Sequence, residues 1–282
     1  MLCGNIITAM RACDLSCKGD YAKVKFDEPL ISVMSSLSRG ANLLLVVSED
    51  DRLRGIITIS RVLSLLSTFG LGSKFTESSI SLFIDDRPLT MHYEYPIEAA
   101  LQLMAEEGKS YLVLVNGPRA MGLLTCRCIM KRLLDLGFDF KVSRVSYSSM
   151  TTLLAHNSLA EAYRAMLESG YPEVPIVEDE VVGILRANDI ISEIVDKGVK
   201  ELRTIKAYSK CKVIRKPPEK LSDALKLAFS EGISLIPMFK EGKLQGFVKM
   251  EELCISVLKE HGAFKIAEMM RAREQAISSN VA

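Results

Sequence analysis

Histidine is the side chain whose ordinary pKa best suits proton transfer near neutral pH, and this chain has three: His92, His156 and His261. No Ser-His-Asp, metal-binding or glycine-rich phosphate-loop pattern accompanies any of them. His261 falls in the last turn of a helical pattern, where a cationic side chain favours the helix dipole. The seven cysteines, Cys3, Cys13, Cys17, Cys126, Cys128, Cys211 and Cys254, are odd in number and scattered. That usage matches a reducing compartment and small buried side chains, not a disulfide framework. Cys13 and Cys17 have a spacing that could hold a metal, yet no second pair of ligands follows them. Between residues 197 and 220, Lys197, Lys200, Arg203, Lys206, Lys210, Lys212, Arg215, Lys216 and Lys220 face only Glu201 and Glu219. Such a local excess could meet a phosphate backbone, but Tyr208 is its single interleaved aromatic, so a solvated linker is the plainer reading. The expectation is a chain that is not an enzyme.

Bulk properties narrow the classes further. With 36 Lys+Arg against 35 Asp+Glu and 48% hydrophobic residues, the chain has a globular composition and no global field to draw nucleic acid or anionic membrane. No run approaches the roughly 18 uninterrupted apolar residues of a membrane span. The opening MLCGNIITAMRACDLSCKGD lacks a charged segment ahead of an apolar core, so no secretory signal is expected. A cytoplasmic protein without nucleic-acid or membrane partners is the resulting expectation.

The elements that must position any charged site emerge from self-similarity at a period of about 60 residues. One apolar helical face recurs as Leu30, Val33, Met34, Leu37; as Ile97, Ala100, Leu101, Met104; as Leu159, Ala162, Tyr163, Met166; and as Leu221, Ala224, Leu225, Ala228. Behind each face comes a strand-like run: LLLVV at 43–47, YLVLV at 111–115, VPIV at 174–177 and IPMF at 236–239. A second strand then opens on Gly55, Gly122, Gly183 and Gly246, spaced by 67, 61 and 63 residues. A second amphipathic helix closes each copy at Gly70, Gly137, Gly198 and Gly262, where glycine can adopt the left-handed closing conformation. Four copies at 1–70, 71–138, 139–198 and 199–262 are therefore expected, with a helical tail at 263–282 carrying Phe264, Ile266, Met269 and Met270. None of their small sheets could cover its apolar face alone.

This order of elements resembles the CBS domain over about residues 12–262. The resemblance implies an α/β fold of four tandem CBS-type β-α-β-β-α repeats. They would be paired by pseudo-twofold symmetry into two Bateman modules, repeats one plus two and three plus four, as in the γ subunit of AMP-activated protein kinase and stand-alone archaeal relatives. It also implies a ligand signature, a Thr or Ser three residues after the strand glycine and an Asp six after it, with the carboxylate holding both ribose hydroxyls of an adenosyl ligand. In this sequence those positions are Thr58 and Arg61, Thr125 and Cys128, Arg186 and Asp189, Lys249 and Glu252. Only Asp189 matches the ribose position; Glu252 is a longer substitute, and Asn188 stands beside Asp189. Arg186 and Lys249, brought together by the twofold, suit a phosphate or carboxylate. As a helix cap alone, Asp189 would still stabilise the fold by about 1 kcal/mol. Members that bind nucleotides often carry His or Arg before the middle strand, but here the pairs are Asn42-Leu43, Ser110-Tyr111, Pro172-Glu173 and Ser234-Leu235. Glu173 would repel a phosphate, which admits S-adenosylmethionine beside AMP, ADP or ATP. The resemblance thus implies a regulatory sensor in which an adenosyl ligand, AMP-like first, binds between repeats three and four and signals to a regulated protein, with a homodimer as a further partner. A ligand-free protein- or nucleic-acid-binding scaffold is the alternative.

Overall fold

The structure is a computed structural model that describes residues 10–16, 21–69, 77–138, 150–178, 181–214 and 218–281. Gly70, Cys3, Cys17, Arg215 and Lys216 lie outside the described residues. The described chain divides into two compact units: residues 1–17, 89–142 and 251–282 form one, and residues 18–88 and 143–250 the other.

The larger unit holds repeats one and three with the strands and first helix of repeat four. Repeat one runs β1 (Tyr21–Lys25), α1 (Leu30–Ser38), β2 (Leu43–Val47), β3 (Leu53–Thr58) and α2 (Ile59–Phe69). Its three strands pair in the order β1-β2-β3, parallel and then antiparallel. The expected helical face is wholly buried at Leu30, Val33, Met34 and Leu37, and all five residues of β2 are buried with it.

Repeat two, in the smaller unit, follows the same plan: β4 (Thr90–His92), α3 (Ile97–Glu107), β5 (Tyr111–Asn116), β6 (Arg119–Thr125) and α4 (Cys126–Asp135). Repeat three runs α5 (Leu159–Ser169), β7 (Glu173–Glu178), β8 (Val181–Arg186) and α6 (Ala187–Lys197). Its sheet gains β9 (Lys212–Ile214), the segment entering repeat four, antiparallel to β8. Repeat four supplies α7 (Leu221–Glu231), β10 (Leu235–Lys240), β11 (Lys243–Lys249) and α8 (Met250–His261), and α9 (Ala263–Val281) is the tail. No helix is long and apolar enough to cross a membrane.

Two expectations are corrected. The signature glycine does not open its strand but sits within it, at Gly55 in β3, Gly122 in β6, Gly183 in β8 and Gly246 in β11, opposite Val46, Leu114, Ile176 and Met238. In repeats one, two and four the register shifts immediately beside that pair, a place where a residue without Cβ is favoured. A second reason comes from the chain that leads into the next repeat. A Cβ on Gly55 would lie 2.4 Å from the Asp85 carbonyl oxygen, and one on Gly183 would lie 2.4 Å from the Cys211 sulfur. Among the cysteines, Cys13, Cys126, Cys211 and Cys254 are free, but Cys128 is disulfide-bonded, against the expectation of reduced thiols throughout.

The helices of repeats one and three share one core, a pairing that the periodicity did not single out. Leu30, Val33, Met34, Leu37, Val62 and Leu66 pack with Leu159, Ala162, Met166, Ile190, Ile191 and Ile194. Burying each such side chain contributes about 1.5–3 kcal/mol. Asn188 is 4% exposed in this contact and donates both amide hydrogens across it, to the carbonyls of Leu37 at 2.8 Å and Ala41 at 3.0 Å. Those carbonyls lie at and just past the end of α1, and the Leu37 carbonyl also accepts from the Gly40 N–H at 3.0 Å. The Tyr163 hydroxyl donates to the Leu63 carbonyl at 2.7 Å, and burial pushes its pKa up to about 12.

Part of the basic run is consumed inside this unit. Lys197 and Lys210 both pair with Glu193, whose side chain is 8% exposed. The Lys210 hydrogen bond, opposed by burial and aided by Lys197, holds the Glu193 carboxyl below its usual range.

In the smaller unit the tail helix α9 lies along α3. Ile266, Ala267 and Met270 are buried, Arg271 pairs with Glu98, and Arg132 of α4 pairs with Glu274. Phe264 stays exposed.

Two stability measurements follow. Gly55→Ala forces a methyl group against a backbone carbonyl that cannot swing aside, so urea unfolding should show a loss of about 1–3 kcal/mol. The lowered Glu193 pKa means that its stabilisation is present above the ordinary carboxylate range and disappears as pH falls through the folded value. Glu193→Gln should therefore melt below the wild type at pH 7, and the gap should close in acid; a constant gap from pH 7 to 3 would contradict this.

Candidate functional site

Each glycine-bearing strand ends on the residue that precedes its second helix, and that junction holds all four signature pairs. In repeats one and two the pair is a simple cap. The Thr58 hydroxyl accepts from the Arg61 N–H at 3.3 Å, and the Thr125 hydroxyl accepts from the Cys128 N–H at 3.2 Å. In repeat three Arg186 takes the N-cap position, and Asp189, three residues on, reaches back to it. Its carboxylate accepts from the Arg186 backbone N–H at 3.3 Å, from Nε at 3.0 Å and from Nη2 at 2.7 Å. Both side chains are 20% exposed. The Asp189 hydrogen bonds hold the guanidinium pKa above its usual value against the effect of burial, and the charges of Asp189, Glu173 and Glu231 add to this. A carboxylate offers about four acceptor sites, and Arg186 occupies three of those on Asp189. In repeat four Lys249 ends β11, and Glu252 stands exposed in the first turn of α8.

Repeats three and four meet at the first residues of their middle strands. Glu173 begins β7 and Leu235 begins β10, the equivalent position one repeat later. Glu173 is 3% exposed; both carboxylate oxygens accept from the Ser234 N–H at 2.9 Å, and one also accepts from the Leu235 N–H at 2.6 Å. The Ser234 carbonyl in turn accepts from the Met250 N–H at 2.9 Å. Ser234 is thereby tied to both repeats through its backbone.

The two strand-end cations reach across this contact reciprocally. Arg186 Nη1 donates to the Gly232 carbonyl at 3.4 Å, and the Lys249 ammonium lies 5.2 Å from the centroid of the Tyr171 ring. Gly232 closes α7 as Gly170, just before Tyr171, closes α5, both in the left-handed conformation. Each cation thus touches the helix-end turn of the other repeat, as twofold-related groups must. Lys249 over an aromatic face is a cation–π contact, and Arg186 is a charge-assisted donor.

Of the residues expected at the site, Arg186, Asp189, Ser234 and Lys249 come together at the contact of repeats three and four. Thr58 and Thr125 cap helices in their own repeats, and Asn188 joins repeats one and three. Sequence reasoning treated Glu173 as a repulsive neighbour and missed that it bridges the repeats; Tyr171, Glu231 and Gly232 were missed altogether. The available signal was that Glu173 is the single charged residue among the four first positions of the middle strands, the others being Leu43, Tyr111 and Leu235.

The CBS domain family matches residues 14–68 and 142–196, repeats one and three. Protein MJ1225 of Methanocaldococcus jannaschii, an uncharacterised protein, is 25% identical over 136 residues, and that alignment spans 47% of this chain and 48% of MJ1225. Its crystal structure, proposed as an archaeal homolog of g-AMPK, superposes over 87% of this chain and 99% of its own with TM-score 0.68 and 15% identity. An uncharacterised conserved protein from Pyrococcus horikoshii superposes over 87% of this chain and 98% of its own with TM-score 0.53 and 17% identity. Residues 14–68 and 142–196 therefore match the CBS domain family, and the chain as a whole shares the fold of MJ1225.

Proposed function

We propose that this chain is a non-catalytic sensor that binds an adenosyl ligand at the contact of repeats three and four and reports the bound state to a partner protein. The observation that carries this reading is the placement of Asp189, the chain's one match to the family's ribose position, beside the reciprocal pair Arg186–Gly232 and Lys249–Tyr171. A ligand held there would touch both repeats and shift how they pack, which is the differential affinity any ligand-driven switch needs. Such a change would pass along α6, because Asn188 of that helix is bonded to the end of α1 in repeat one. The partner would then read the faces of repeats one and three.

A second reading, a ligand-independent protein scaffold, is favoured by one fact: the bonds of Asp189 to Arg186 and of Glu173 to repeat four already hold the contact together without a ligand.

A thermal-shift and calorimetry panel of AMP, ADP, ATP, S-adenosylmethionine and methylthioadenosine on wild type and Asp189→Ala separates the two. A ligand at about a hundred times its Kd stabilises the folded state by roughly 2.7 kcal/mol, a readily measured rise in Tm. The sensor reading predicts one class of hits, lost in Asp189→Ala while that variant keeps its fold. Absence of binding at millimolar concentration would favour the scaffold.

A further inference from the structure

The adjacent N–H groups of Ser234 and Leu235 point to one place, the arrangement backbone uses to hold an anion. That place is filled by the buried carboxylate of Glu173, supplied by the other repeat. Around it, three carboxylates, Glu173, Asp189 and Glu231, act on Arg186, and Lys249 lies on the Tyr171 ring. Arg186 is further engaged by Asp189 and by the Gly232 carbonyl. A phosphate arriving here would find the N–H pair taken and would add negative charge beside the three carboxylates that already act on Arg186. A neutral thioether or a sulfonium centre would meet no such opposition, and a positive charge would be favoured.

We propose that Glu173 is an internal anion that occupies the N–H pair of repeat four and thereby selects adenosyl ligands without a phosphate, neutral or sulfonium-bearing, over nucleotides. This rests on the sensor reading above. It assigns to Glu173 a specificity-determining role, with the same carboxylate serving as the bridge between the two repeats.

The test compares methylthioadenosine, S-adenosylmethionine and AMP by calorimetry on wild type and on Glu173→Gln, whose amide oxygen can still accept from Ser234 and Leu235. Wild type should bind methylthioadenosine or S-adenosylmethionine at least about tenfold tighter than AMP, and the substitution should narrow that ratio by about tenfold or more. The wild-type preference over AMP needs no variant and tests the inference if Glu173→Gln fails to fold; added salt should leave that preference largely in place, since Glu173 is 3% exposed and buried charge is screened little. AMP binding as tightly as methylthioadenosine to wild type would overturn the inference and leave the sensor reading intact, as would a ratio unmoved by the substitution. Binding of none of the three would remove the sensor reading and the inference with it.

Discussion

A sheet of three short strands with two helices can cover one of its faces, and the second must be buried by another copy of itself. Nearly every feature of the larger unit answers that constraint. The apolar faces of α1 and α2 are closed by α5 and α6 of repeat three, giving one continuous core. Polar groups inside this contact must be satisfied within it, and Asn188 does so by donating to the two carbonyls at the end of α1. The strand glycines follow from the same economy of space: the segment leading to the next repeat crosses so close over Gly55 and Gly183 that a Cβ would collide with it.

The contact of repeats three and four obeys a different rule. There the strands meet near an approximate twofold, so equivalent positions face one another, and unlike residues at those positions become partners. Glu173 opposite the N–H of Leu235 is that case, one carboxylate filled by backbone donors from its own counterpart. The strand-end cations Arg186 and Lys249 cross the same axis in opposite directions. Charge is thereby concentrated at the contact of the two repeats, where a ligand of the kind proposed would touch both. The cap and the candidate ligand group are one residue in Asp189: holding α6 in place is one use of that carboxylate, and meeting a ligand would be a second.

Much of this was legible in the sequence because the period repeats four times. The run LLLVV at 43–47 is β2 residue for residue, and the other middle strands extend their expected runs by one or two residues. The helical faces are buried where the spacing put them. What the spacing could not say is which repeat covers which face, since an amphipathic helix declares that it needs a partner and not who the partner is; hence the shared core of repeats one and three was not foreseen. The glycines were recognised as markers but placed at strand starts, because only the crossing chain reveals why they lie mid-strand. Arg186, Asp189 and Lys249 were singled out by their register and lie at the contact of repeats three and four, whereas the bridging role of Glu173 depends on a residue 62 positions away that only the pseudo-twofold brings near. Asn188 donates to the chain at the end of α1, a use the sequence did not reveal, because a polar residue beside a candidate ligand group is equally suited to satisfying a neighbouring helix end.

The most direct measurement of the central claim, that the junction of repeats three and four is a ligand site coupled to repeat packing, is hydrogen–deuterium exchange of the whole chain with and without saturating methylthioadenosine. The account predicts slower exchange at residues 171–175, 186–190 and 232–236, with a smaller effect at the end of α1 around residues 37–41. Unchanged exchange at the junction, or protection confined to other segments, would contradict it.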